Sequence, residues 1–340
     1  MGTAALALGT APVSAQPSTA ARPAVERPFS TPLPPATPIV AYSPVTINVP
    51  NRLVPLEARV TMPLTGDNLP ILLLSHGHGQ SNYLSSIRGY GPLVDFYGAH
   101  GFVVIQVTHQ DSKILNLNSP PNPEGATFWR SRAEDFHYIL DHLDEIEATV
   151  PGLAGRVDRT KIAVVGHSMG GHTSALLAGA TVTDIHTGDK VDLSEPRISA
   201  FIMIAPAGDG KDAAPWLREN YPENLNTDYG TMNRPALVIV GDKDFNPNFS
   251  TRHSWRADAY NQAPSPKTLL TVFGAEHIFG GISGWDANET SDENPSRVAG
   301  MQQATWAYLR SALYPEDKAW PDVVEEMSTG RSKFGRVDTK

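Results

Sequence analysis

Six short, almost uninterrupted apolar runs constrain what this chain can become more than any other feature. They are Ile71-Leu-Leu-Leu74, Phe102-Val-Val-Ile-Gln-Val107, Lys161-Ile-Ala-Val-Val165, Ile198-Ser-Ala-Phe-Ile-Met-Ile204, Ala236-Leu-Val-Ile-Val240 and Thr268-Leu-Leu-Thr-Val-Phe273. A strand with one wet face alternates apolar and polar side chains, so a run that does not alternate is buried on both faces. Between the runs the spacing turns helical, over 93–100, 129–148, 169–180 and 296–313. In the second of these Phe136, Ile139, Leu140, Leu143 and Ile146 share one face, and Asp and Glu fill the solvated other. Buried strand followed by amphipathic helix, repeated, predicts an α/β fold: a mostly parallel, doubly wound sheet with helices on both faces. Val45-Thr-Ile-Asn-Val49 and Leu56-Glu-Ala-Arg-Val-Thr-Met62 do alternate, and predict antiparallel strands at the N-terminal edge.

No second core and no repeat is visible, so the 340 residues divide into one catalytic-sized domain over 45–314 and two appendages. Residues 1–44 are rich in Pro and Ala and read as an extended arm. Their first residues, with an Ala/Leu run and the small residues Val13-Ser14-Ala15, resemble the later part of a secretory signal, which points to a secreted or periplasmic protein. A disordered tail on a cytoplasmic protein is the other reading. Residues 315–340 carry Trp320 and Val323-Val324, which could dock, and a Gly/Ser/Lys end expected to fray. Three long irregular stretches remain, 108–127, 181–197 and the insertion 208–234. The first and third follow strand carboxyl ends and should overlie the site, and the second should lie at the far end.

Composition removes several classes of function. With no cysteine there is no disulfide scaffold, thiolate zinc site, iron–sulfur cluster or cysteine nucleophile. A net charge of −9 offers no basic field for nucleic acid. No run reaches the ~18 apolar residues of a membrane span.

The chemistry is concentrated where the third buried run enters Gly166-His167-Ser168-Met169-Gly170 and then a small-residue helix. Gly-x-Ser-x-Gly between a strand and a helix is a nucleophile elbow, a turn so tight that the serine is strained and side chains at both glycines would collide. A serine needs a base and an orienting carboxylate, in the order Ser, acid, His. The turn Gly241-Asp-Lys-Asp244 offers two acids, of which Asp244 is favoured and Asp242 reads as a turn residue. His277, just past the last run, is the base. An oxyanion hole requires two backbone N–H groups: Met169 supplies one, and the strand leading into His76-Gly-His-Gly79 supplies the other through His78, with Gln80 a weaker donor or substrate contact. His76 and His78 lack a completing ligand pattern, so neither metal nor cofactor is expected. Aromatic and apolar side chains on the site loops, Phe128, Trp129, Trp216, Tyr221, Ile278 and Phe279, form the candidate pocket for an apolar group. The acidic run 286–293 reads as a capped entry to the last helix in preference to a calcium site on Asp286, Glu289 and Asp292.

With Ser75-His-Gly-His-Gly79, Ala99-His-Gly-Phe-Val-Val-Ile105, Gly166-His-Ser-Met-Gly-Gly171, Gly241-Asp-Lys-Asp244 and Glu276-His277, the chain resembles the α/β-hydrolase superfamily. Within it the likeness is to the branch of bacterial cutinase-like polyesterases, chlorophyllases and platelet-activating-factor acetylhydrolases. That resemblance implies a cofactor-free serine esterase, a carboxylic ester hydrolase in which Ser168 attacks, His277 moves the proton and Asp244 orients it. Two features depart from cutinase-like enzymes: the absent terminal disulfide and the insertion 208–234, which tells against an open cleft for polymer. A small-molecule ester is therefore the first expectation, with a polyester, an amide or an acyl acceptor other than water as alternatives for the same residues. A non-catalytic ligand receptor is the remaining one.

Overall fold

The computed structural model describes residues 25–79, 81, 83–117, 122–284 and 289–340. The signal-like start, Gln80 and Asp286 lie outside the described residues.

Nine strands form one mixed sheet: β1 (Ile39–Ile47), β2 (Leu56–Pro63), β3 (Leu69–Ser75), β4 (Val103–Thr108), β5 (Val157–His167), β8 (Ile198–Ile204), β10 (Ala236–Gly241), β11 (Lys267–Val272) and β12 (Gly335–Thr339). Across the sheet they run β1-β2-β4-β3-β5-β8-β10-β11-β12. The central strands from β4 to β11 are parallel, and β1, β2 and β12 join antiparallel at the two edges. Period-two alternation sends each central strand's side chains into two separate cores. Ile71 and Leu73 of β3 enter the core shared with α2 (Trp129–Asp141), α3 (Leu143–Thr149) and α4 (Met169–Leu177). Leu72 and Leu74 enter the opposite core, with α1 (Gly91–Ala99), α7 (Pro295–Leu313) and α8 (Ala319–Ser328). Burial on both faces is thus the physical cause of the unbroken apolar runs. The expected doubly wound sheet, with its antiparallel N-terminal edge and helices on both faces, is the observed one. No helix among the described residues is long and apolar enough to cross a membrane.

Four local expectations need correction. The helix expected over 129–148 breaks at His142, whose Nδ1 lies 2.8 Å from the Tyr138 carbonyl oxygen and whose ring stacks on Tyr138. The first strand begins at Ile39, inside the supposed arm, and its register shifts between Tyr42 and Val45 as it passes Pro44. Residues 181–197 are not merely polar loop: β6 (Thr181–Thr183) and β7 (Lys190–Asp192) form a small sheet with β9 (Thr227–Asp228) from the insertion. The C-terminus does not fray, because α8 packs its buried Val323 and Met327 in the second core and β12 completes the sheet beside β11. That edge had unpaired backbone groups, which is what a polar terminal segment can satisfy without an apolar run.

Candidate active site

β5 delivers His167 and Ser168 to the carboxyl end of the sheet, and α4 starts immediately afterwards. Ser168 has φ 56° and ψ −117°, a left-handed conformation that costs a non-glycine residue about 1–3 kcal/mol. Two close approaches impose it: a Cβ on Gly166 would strike the Gly170 carbonyl, and one on Gly170 would strike the Ser75 carbonyl. The Ser168 amide is fixed by the Ile204 carbonyl at 2.8 Å. Its side chain therefore stands clear of both strand and helix.

Ser168 Oγ lies 3.0 Å from His277 Nε2, and His277 Nδ1 lies 2.8 Å from Asp244 Oδ2. An ionised carboxylate only accepts, so Nδ1 carries the proton and Nε2 accepts from the serine. Burial alone would raise the Asp244 carboxyl, but the Arg256 guanidinium, 3.1 Å away, and His277 outweigh it and hold the group well below the usual carboxylate range. Asp242 accepts the Gly274 N–H at 2.6 Å, so in place of a bond within its own turn it ties the segment after β10 to the one after β11.

Met169 is the first residue of α4, where an α-helix leaves its amides without intrahelical partners. His78 stands opposite and lines the same cleft as Ser168 and Met169. Its loop is braced from below. His78 Nδ1 donates to Asp111 Oδ2 at 2.8 Å, and Arg132, wholly buried on α2, donates to Asp111 Oδ1 at 3.1 Å and to the His76 carbonyl. A second link ties this loop to His277. The Gly77 N–H donates to Tyr90 Oη at 2.9 Å, the Tyr90 hydroxyl to His167 Nδ1 at 2.7 Å, and His167 Nε2–H to the His277 carbonyl at 2.8 Å. Each step forces the next, so His167 is a neutral imidazole, and burial with the neighbouring His277 pushes it down to about 3.

Two clefts open here and share His78 and Tyr221. One, of 80 Å³, is walled by Ser168 and Met169 with Leu217, Leu225, Phe249 and Trp255. The other, of 340 Å³, is walled by Ser112, Lys113, Asn122 and Phe128 among others. The described residues of 108–127 line the larger cleft, and the insertion lines the smaller one through Leu217 of α5 (Pro215–Asn220), Tyr221 and Leu225. Four pocket expectations fail. Trp129 is buried in the first core with α2, and Ile278 is buried in the second core. Trp216 is 42% exposed, with its ring against Tyr221 and Phe249, which themselves line the small cleft. Phe128 and Tyr221 do line the clefts, whereas Phe279 is core.

Sequence reasoning missed Arg256, Asp111, Arg132 and Tyr90. None sits in a motif; a cation in an otherwise apolar helical face was the one available signal, at Arg132. The acidic run also had an unexpected use: Asp292 accepts the Glu276 and Gly280 amides at 3.0 and 3.1 Å and so clamps the His277 loop, while Asn294 caps α7. Among the described residues no group of three or more His, Asp and Glu could hold a metal ion.

A model of the Alpha/beta hydrolase family matches residues 71–336, and the chain belongs to that family. It is 26% identical over 210 residues to Cutinase 1 of Thermobifida cellulosilytica, across 61% of this chain and 57% of that one. Against the cutinase of Thermobifida fusca strain YX the figures are 26% over 210 residues, 61% and 50%. The platelet-activating factor acetylhydrolase of Cavia porcellus is 27% identical over 154 residues, 35% of this chain and 34% of the relative. The chain thus spans about half the length of the two cutinases and less of the acetylhydrolase.

Proposed function

We propose that this chain hydrolyses carboxylic esters through an acyl-enzyme on Ser168. The observation that carries the reading is the Ser168–His277–Asp244 relay, at 3.0 and 2.8 Å, on a strained elbow in the wall of a cleft. As Ser168 Oγ bonds to the ester carbon, its proton passes to His277 Nε2 and the carbonyl electrons move onto oxygen, where the Met169 and His78 N–H groups receive them. Collapse breaks the bond to the alcohol, which leaves with the proton from Nε2. Water then attacks the acyl-enzyme, gives its proton to Nε2, and Ser168 departs by taking it back. Asp244 keeps the proton on Nδ1 and stabilises the imidazolium formed in each half. The cutinase relatives support an ester as substrate, and the roof over the small cleft favours a small molecule over a polymer chain.

The test is covalent labelling by a fluorescent alkyl phosphonate, with turnover of p-nitrophenyl esters. Labelling is expected in wild type and absent in Ser168→Ala. Asp244→Asn should lower kcat by roughly 10³–10⁴, whereas Asp242→Asn should stay within about tenfold and lose stability of order 1 kcal/mol. A folded wild type that neither labels nor turns over any ester would overturn the reading.

A further inference from the structure

The two clefts at Ser168 differ in chemistry, and we infer from them the class of ester: a short apolar acyl group on a larger, hydroxyl-rich alcohol. This rests on the ester-hydrolase reading above. The acyl group stays bonded to Ser168 between the two half-reactions, so its pocket must have Ser168 in its wall. Of the two clefts the 80 Å³ one does so, and Leu217, Leu225, Phe249 and Trp255 make that wall apolar. By the same measure it is about a quarter the size of its 340 Å³ neighbour, which fits the shorter of the ester's two arms. The alcohol must lie across the ester bond and be free to leave, and the neighbouring 340 Å³ cleft, reached past His78 and Tyr221, has neither Ser168 nor Met169 in its wall.

That second cleft holds polar groups whose bonding is incomplete. Ser112 is 2% exposed and its Oγ has no hydrogen-bond partner among the described residues, a cost that a ligand hydroxyl removes once the side chain turns to meet it. Lys113 lines the cleft and makes no ion pair among the described residues. Asp111 there is already spent on Arg132 and His78, and Asn122 on the Gly125 carbonyl and the Glu124 amide. The Glu223 carboxylate lies against Gly125 at the edge, so the cleft has a cation and an anion near it and carries no strong field of one sign. Donors and acceptors of both kinds suit a polyol better than an alkyl chain or a simple anion.

The experiment compares glycerol monoacetate with hexyl acetate, acid release being followed by pH-stat, in wild type, Ser112→Ala and Lys113→Met. Phosphonate labelling of Ser168 is measured in parallel. Wild type should prefer the glycerol ester at least tenfold in kcat/KM, and each variant should reduce that ratio threefold or more. Labelling and turnover with a ratio at or below one, or a ratio that neither variant moves, would overturn the subsite while leaving the esterase standing. Absence of both labelling and turnover would overturn the two together.

Discussion

Two serines in this molecule end the same relay. Ser168 meets His277 at 3.0 Å, and His277 meets Asp244 at 2.8 Å with Arg256 behind it at 3.1 Å. Ser75, the last residue of β3, meets His109 at 2.9 Å, and His109 meets Asp135 at 2.8 Å with Arg52 behind it at 2.8 Å. Distances do not separate them. Surroundings do: Ser75 and His109 are sealed inside the protein, and burial and the Arg132 charge push His109 far down, so it stays neutral. Ser168 instead stands on a left-handed turn, at a helix start and in a cleft wall. A Ser–His–Asp relay is thus a structural strut or a candidate nucleophile according to access and backbone conformation.

The sharpest way to break this distinction is to remove each hydroxyl. Ser168→Ala should lower ester turnover by a factor of order 10⁴ or more. Ser75→Ala should keep turnover within about threefold while costing roughly 1–3 kcal/mol in urea unfolding, because His109 Nε2 loses its donor. Equal loss of activity in the two variants would sink the assignment of Ser75 as a strut.

A smaller effect tests the arginine behind the Asp244 carboxylate. Because the folded-state pKa of Asp244 is depressed, its contribution to stability is full above the unfolded value of about 3.9 and fades as pH falls through the lower folded value. In Arg256→Met burial acts with less opposition, the carboxyl rises, and the folded protein takes up its proton first. The variant should be about 3–5 kcal/mol less stable than wild type at pH 7. That gap should narrow by about 1 kcal/mol or more at pH 4, a tenfold change in proton affinity being worth about 1.4 kcal/mol. A gap that is constant with pH would show that Arg256 does not hold the Asp244 charge.

The smallest effect concerns the link between the two site loops. Tyr90→Phe leaves the Gly77 amide and His167 Nδ1 unpaired. It should cost about 1–2 kcal/mol in stability and lower kcat severalfold with KM little changed, since ground-state contacts are untouched. Unaltered kcat would mean that the His78 and His277 loops are positioned without this bridge.

The sheet, its parallel centre and the elbow were legible in the chain because each is a local pattern: unbroken apolar runs, helical spacing, and glycines where a Cβ cannot fit. The candidate serine, acid and histidine stood out for the same reason, each sitting just past a strand end. What was illegible has no local signature. β12 is a polar segment that becomes a strand because β11 offers an open edge, and Trp129, at the start of α2, and Ile278, on the loop beside His277, both turn into the cores. The sequence by itself therefore determined the layers of this protein and the loops that carry its candidate chemistry. Tertiary structure alone decided which of two serine relays reaches solvent, which carboxylates face Arg132 and Arg256, and how the insertion divides the site into an apolar and a polar cleft. Those outcomes depend on charges and walls brought together from residues as far apart as His78 and Trp255, which no spacing along the chain records.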